Sequence, residues 1–158
     1  MKTNDYSIDL ISACENLSIE DVKTAIEKGA DVNYIFEEGS SFPLLACVLF
    51  QQDKDHNKII EIFRTLLLNG ADINLQINDD ETPLIHSSWL FRSYEVVEFL
   101  LKNGANPNLK YDGNTAIDLT GDEICFYDAC LDEADELENL ERIYELLERF
   151  GAKHSKDL

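Results

Sequence analysis

The sequence predicts an all-α fold: a row of about four helix-turn-helix units, the last of them enlarged and acidic. Three observations carry this. Nearly the same five residues occur three times, as Gly-Ala-Asp-Val-Asn from Gly29, Gly-Ala-Asp-Ile-Asn from Gly70 and Gly-Ala-Asn-Pro-Asn from Gly104. Ahead of each glycine, apolar residues recur with helical spacing. Upstream again, short segments such as Thr82-Pro83-Leu84 carry the residues that open a helix.

In the first unit, Ser18-Ile19-Glu20-Asp21 sets an N-cap serine three residues before a carboxylate, a capping-box-like start. Val22, Ala25 and Ile26 then form a thin apolar stripe. Gly29 ends that helix, because glycine takes the left-handed C′ conformation without a Cβ clash. The Asp or Asn behind each such glycine can hold a turn by bonding local backbone.

The second unit opens at Phe42-Pro43-Leu44. It carries a polar addition, Gln51-Gln52-Asp53-Lys54-Asp55-His56-Asn57, read as a solvent loop, since lengthening a loop costs little. Its long helix shows apolar pairs four apart, Ile62-Phe63 and Leu66-Leu67. In the third unit Thr82 can cap and Pro83 suits the first helical turn. Val96-Val97 and Leu100-Leu101 then repeat the paired stripe.

The fourth unit runs from Thr115-Ala116-Ile117 to the glycine at Gly151. Its extra residues lie around Gly121 to Glu136, where Ile124, Phe126, Tyr127 and Leu131 interleave with carboxylates. Both of its helices are expected to be long, with one face hidden and the other anionic.

Turn, short helix opened by Thr-Pro-Leu, longer helix and Asn-Gly-Ala-Asp-Ile-Asn together resemble the ankyrin repeat, whose usual period is about 33 residues. The resemblance covers nearly the whole chain. It implies an ankyrin-repeat solenoid divided at 1–33, 34–74, 75–108 and 109–158, with the outer two repeats acting as caps. The chain departs from the family at the His that follows Thr-Pro-Leu: Ile85 fills that place and His86 falls one residue later. In the second unit Phe42 and Leu45 occupy the Thr and His places. The Thr–His side-chain bond that the resemblance implies is therefore replaced by packing.

Thirteen Lys and Arg stand against 32 Asp and Glu, a formal net charge of −19. Such a field repels nucleic-acid phosphate and anionic membranes and attracts basic proteins. It also describes a surface kept acidic for solubility. The opening Met1 to Tyr6 has no apolar signal core, and no run approaches the ~18 apolar residues of a membrane span. A cytoplasmic protein is expected. Its cysteines Cys14, Cys47, Cys125 and Cys130 are read as reduced and mainly buried. The last two lack zinc-site spacing, and no stretch has the spacing of a calcium-binding EF-hand. No metal or cofactor is expected.

His56, His86 and His154 fall in different units, one in the loop, one on a helix and one in the frayed tail. No nucleophile-base arrangement can be drawn from them, so an enzyme is not expected. The resemblance instead implies a concave groove, lined by turn tips and short helices, that takes protein partners. Carried over by position, the tips supply Phe36, Glu37, Glu38, Asp79, Asp80, Tyr111 and Asp112. The short helices supply Phe50, Trp89, Phe91, Phe126 and Tyr127. Large aromatics anchor interfaces, and carboxylates around them select a basic partner. Trp89 reads equally as an ordinary, partly buried side chain. The expected function is a non-catalytic protein-binding module, monomeric on its own. One form is an inhibitor of a basic toxin or nuclease, as an immunity protein or antitoxin would be; the other is a scaffold or adaptor.

Overall fold

The computed structural model describes residues 5–36, 42–48, 55–76, 81–128 and 134–158. They form four helical hairpins: α1 (Asp5–Glu15) with α2 (Ile19–Glu27), α3 (Pro43–Ala46) with α4 (His56–Leu68), α5 (Pro83–Trp89) with α6 (Tyr94–Lys102), and α7 (Ala116–Asp128) with α8 (Ala134–Arg149). A two-residue antiparallel pair, β1 (Lys110–Tyr111) and β2 (Asn114–Thr115), precedes α7. The chain divides into two compact units, Met1–Leu75 and Gln76–Leu158.

The second helices of the four hairpins end alike. Each glycine N–H donates to the carbonyl three residues back, and the following alanine N–H to the carbonyl five back. This is the Schellman closure, and it leaves Gly29, Gly70, Gly104 and Gly151 at φ between +82° and +93°. Behind the first three glycines, Asp31, Asp72 and Asn106 each accept a backbone N–H two residues on, from Asn33, Asn74 and Asn108. The repeated pentapeptide is therefore a turn written out residue by residue.

Within the first unit α1 packs on α3 and α2 on α4, first helix of each hairpin on first and second on second. Leu10, Val22, Phe42, Ile59, Phe63 and Leu66 fill that core. The amide of Asn33 ties the hairpins: Nδ2 donates to Gly70 O at 3.0 Å and Oδ1 accepts from Asp72 N–H at 2.7 Å. Where α4 buries Ile62 and Leu66, α2 carries Asp21 and Ala25, and these line a polar groove of about 280 Å³ with Asp9 and Ser12 of α1.

The second unit repeats the plan, α5 on α7 and α6 on α8, around Leu84, Val96, Leu100, Ile117, Leu140 and Ile143. Asn108 ties its hairpins in the same way, to Gly151 O at 3.2 Å and to Lys153 N–H at 2.8 Å. The last repeat is enlarged: α7 and α8 have 13 and 16 residues against 7 and 9 in α5 and α6.

Thr82 caps α5, its Oγ1 accepting Ile85 N–H at 3.2 Å, with Pro83 in the first turn. Packing fills the vacant places, since Ile85 and Leu45 in the histidine places and Phe42 in the threonine place are all buried. Three local expectations are corrected. Ser18 does not cap α2; its hydroxyl donates instead to the Asp21 carboxylate, which draws it away from the backbone. His56 is not in a loop but opens α4, because Asp55 caps that helix by accepting Lys58 N–H. His154 is not frayed; it is held by side chains of α7 and α8.

Candidate functional site

Five of the expected aromatics, Trp89, Phe91, Tyr111, Phe126 and Tyr127, lie among the described residues of the second unit. Trp89 ends α5 and is half-buried. Its indole N–H donates to Glu81 Oε1 at 3.1 Å, while Glu81 Oε2 meets His86 Nδ1 at 2.6 Å. One carboxylate thus orients both rings. Glu81, just ahead of the Thr-Pro-Leu segment, was not among the residues singled out from sequence.

Phe126, on α7, is the most open aromatic side chain among the described residues, 63% exposed. It stands edge-on to Tyr127, ring centroids 5.5 Å apart. Around it on the helix, Asp122 and Asp128 are exposed. Tyr127 itself is turned inward toward Arg92. The guanidinium of Arg92 donates to Tyr127 Oη at 2.6 Å and to Glu123 Oε2 at 3.0 Å, and lies 4.8 Å from the Tyr127 ring centroid. Arg92 also donates to Trp89 O and accepts Asn139 Nδ2–H from α8. It has φ +54°, in the left-handed region that turns the chain from α5 into α6. This one turn residue therefore gathers three helices, and its charge is spent inside the unit.

Phe91 was expected to present its ring. It is 4% exposed, because the chain folds back after α5, with both Leu90 and Phe91 N–H donating to His86 O. Leu90 is left outside in its place, 49% exposed. At the tip between β1 and β2, Asp112 is exposed at φ +48° and Tyr111 is half-buried. In the first unit, Phe36 is half-buried and lines an apolar cleft of about 230 Å³ with Ile8 and Ile11 of α1, rimmed by Glu15. Glu37, Glu38, Phe50, Asp79 and Asp80 lie outside the described residues.

A second polar cluster escaped the sequence reading. Asp118 stands where the family's histidine would be, counted from Thr115. Its Oδ2 accepts N–H of Thr115 and of Ser155, both within 3.0 Å, and the Thr115 hydroxyl. Its Oδ1 meets His154 Nδ1 at 2.7 Å, and His154 Nε2 meets Tyr144 Oη at 3.2 Å. Partial burial works to raise the Asp118 pKa, but these donors outweigh it and hold the carboxyl well below the usual range. Burial, with the Glu148 and Asp118 carboxylates, pushes the Tyr144 phenol up. The cluster pins the segment after α8 onto α7. Among the described residues, no three His, Cys, Asp or Glu side chains are grouped to hold a metal ion. No helix among them is long and apolar enough to cross a membrane.

A family model for ankyrin repeats, in three copies, matches residues 10–111. Among curated proteins, the chain is 29% identical over 103 residues to the ankyrin repeat and KH domain-containing protein mask-1 of Caenorhabditis elegans, covering 65% of this chain and 4% of that protein. It is 45% identical over 64 residues to an ankyrin repeat protein of fowlpox virus, covering 38% of this chain and 18% of that one. With an ankyrin repeat protein of Acanthamoeba polyphaga mimivirus it shares 26% identity over 132 residues, 73% of this chain and 22% of the relative. The chain therefore spans less than a quarter of the length of each of these relatives.

Proposed function

Because the chain belongs to the ankyrin repeat family, an all-α fold whose repeats are protein-protein interaction modules, we propose that it binds a basic protein through carboxylates and aromatic rings on its short helices and turn tips. The family is generally non-enzymatic, and in this reading the chain's role is recognition alone. The observation that carries the proposal is Phe126, 63% exposed one helical turn after the exposed Asp122, on a chain of net charge −19. An exposed ring with a free carboxylate one helical turn before it supplies an anchor and an attractive field together. Arg92, which lies against the neighbouring Tyr127, does not oppose that field, since Glu123 neutralises it. Trp89, Tyr111, Asp112 and Phe36 extend the proposed set, with Glu37, Glu38, Phe50, Asp79 and Asp80 carried from sequence. Tyr127 supports Phe126 rather than docking itself.

The test is retention of a basic protein fraction on the immobilised chain in low and in moderate salt. Basic proteins are expected to be held and then released by salt, with Phe126→Ser weakening retention while leaving the circular dichroism unchanged. Retention indifferent to both salt and Phe126→Ser would end this reading. Once a partner is in hand, its two forms separate by activity. An inhibitor abolishes the activity of a toxin or nuclease at one equivalent; a scaffold or adaptor leaves the partner's activity alone. Monomeric state and a cytoplasmic setting belong to the same proposal, and sedimentation of the isolated chain checks the first.

A further inference from the structure

The glycine closures of the second and third repeats differ from the outer two in the residue before the glycine. Asn69 and Asn103 stand there, where the first and last repeats carry Lys28 and Phe150. An asparagine ahead of a glycine is chemically labile, because no side chain shields the glycine nitrogen from the asparagine Cγ. Both asparagines are exposed, so water reaches them. Their reacting groups, however, are engaged. Asn69 Nδ2 donates to Thr65 O at 2.8 Å and Gly70 N–H to Leu67 O at 3.1 Å. Asn103 Nδ2 donates to Phe99 O at 2.7 Å and Gly104 N–H to Leu101 O at 3.2 Å. Nucleophile and leaving group are thus held by separate carbonyls of one helix end.

We propose that Asn69 and Asn103 are latent deamidation sites, held unreacted by the hydrogen bonds of the helix closure and released when that closure opens. In the open turn the glycine nitrogen attacks the asparagine Cγ. A C–N bond forms, the Cγ–Nδ2 bond breaks, and the glycine proton leaves with the amide nitrogen as ammonia. Water then adds to either carbonyl of the cyclic imide and the ring C–N bond on that side breaks, giving aspartate or isoaspartate. One amide and one water give one carboxylic acid and one ammonia. Isoaspartate adds a methylene to the main chain, so the glycine N–H no longer meets the carbonyl three residues back and the turn does not re-form. Release is local to each closure. At Gly70 the carbonyl accepts Asn33 Nδ2–H at 3.0 Å, an anchor that can be removed without touching either reacting group.

The test incubates the full chain for days in mildly alkaline buffer made with heavy-oxygen water, with and without denaturing urea. Peptide maps then score aspartate and isoaspartate, the label marking residues converted before digestion. Both asparagines are expected to persist in buffer and to convert in urea. Asn33→Ala in buffer is expected to speed conversion of Asn69 about 5- to 30-fold and to leave Asn103 at the parental rate. Conversion of the parent in buffer as fast as in urea would overturn the proposal, since the closure would then protect nothing. So would an Asn33→Ala chain in which Asn69 is unchanged, or in which both sites speed up equally, because release would then belong to global unfolding. If Asn33→Ala does not fold, the parent in stepped urea decides: conversion must rise before the circular dichroism falls, and a rise only together with that fall counts against the proposal.

Discussion

Asn33 reaches Gly70 of the next repeat with its side-chain amide, donating to the glycine carbonyl at 3.0 Å while accepting from the backbone two residues further on. Asn108 makes the same pair of bonds to Gly151 and Lys153. The fifth residue of the pentapeptide is thus the clasp between one turn and the following one, and each clasp satisfies a donor and an acceptor that no helix supplies.

Removing the clasp is the first test. Asn33→Ala leaves Gly70 O and Asp72 N–H without their partner, at about 1–2 kcal/mol. Urea unfolding reads it as a lower midpoint at unchanged slope. Asn33→Asp keeps the acceptor and sets a carboxylate against Gly70 O, so its midpoint falls between the two. Equal midpoints for all three chains would mean the clasp is decorative.

Two glycines are predicted to respond with opposite sign. At Gly70, φ +89°, an added Cβ meets nothing within 4 Å, so Gly70→Ala suffers from backbone strain alone, about 1 kcal/mol. Gly121 lies inside α7, where an added Cβ would touch the Tyr144 ring edge at 3.4 Å, ordinary contact. Gly121→Ala gains helix propensity and is expected to raise stability by about 0.5 kcal/mol. Thermal melts of the two variants distinguish the signs directly.

Acid should loosen the last repeat through Asp118. Its carboxyl titrates below the ordinary 3.8 when folded, so it contributes stability above about pH 4 and loses it as pH falls through the folded value. The unfolded chain takes up its proton first. Asp118→Asn is expected to cost about 1–2 kcal/mol between pH 5 and 7, from bonds made to a charged acceptor. That difference shrinks steadily below pH 4. A gap independent of pH would show that the contact is steric.

Arg92 and Tyr127 are predicted to be coupled. A double-mutant cycle of Arg92→Ala with Tyr127→Phe is expected to give about 0.5–1.5 kcal/mol of interaction energy. Arg92→Lys does not rescue, because an ammonium cannot donate to Trp89 O, Tyr127 and Glu123 in one plane. Additive single effects would break the link drawn here between α5 and α7.

What could be read from sequence was whatever repeats within one turn or one helix face. Ile62-Phe63 with Leu66-Leu67, and Val96-Val97 with Leu100-Leu101, sit four apart because the helix returns to the same side every 3.6 residues. All but Leu67 are buried or nearly so. Phe91 was misjudged because a fold-back of two hydrogen bonds to His86 O reverses the order in which Leu90 and Phe91 meet solvent. Nothing in the spacing of side chains announces that reversal.

By itself, then, the sequence determined the sign of the charge, which is a sum over composition, and the repeat, the helices and the glycine turns, since each of these depends on residues within a few positions of one another. Tertiary structure alone decided that Asn33 and Asn108 clasp neighbouring turns, that Arg92 is consumed by Tyr127 and Glu123, and that Asp118 holds His154. Those partners stand 31 to 43 residues apart in the chain, and stacking one hairpin on the next, or for Asp118 and His154 closing the last hairpin on itself, is what brings them within reach.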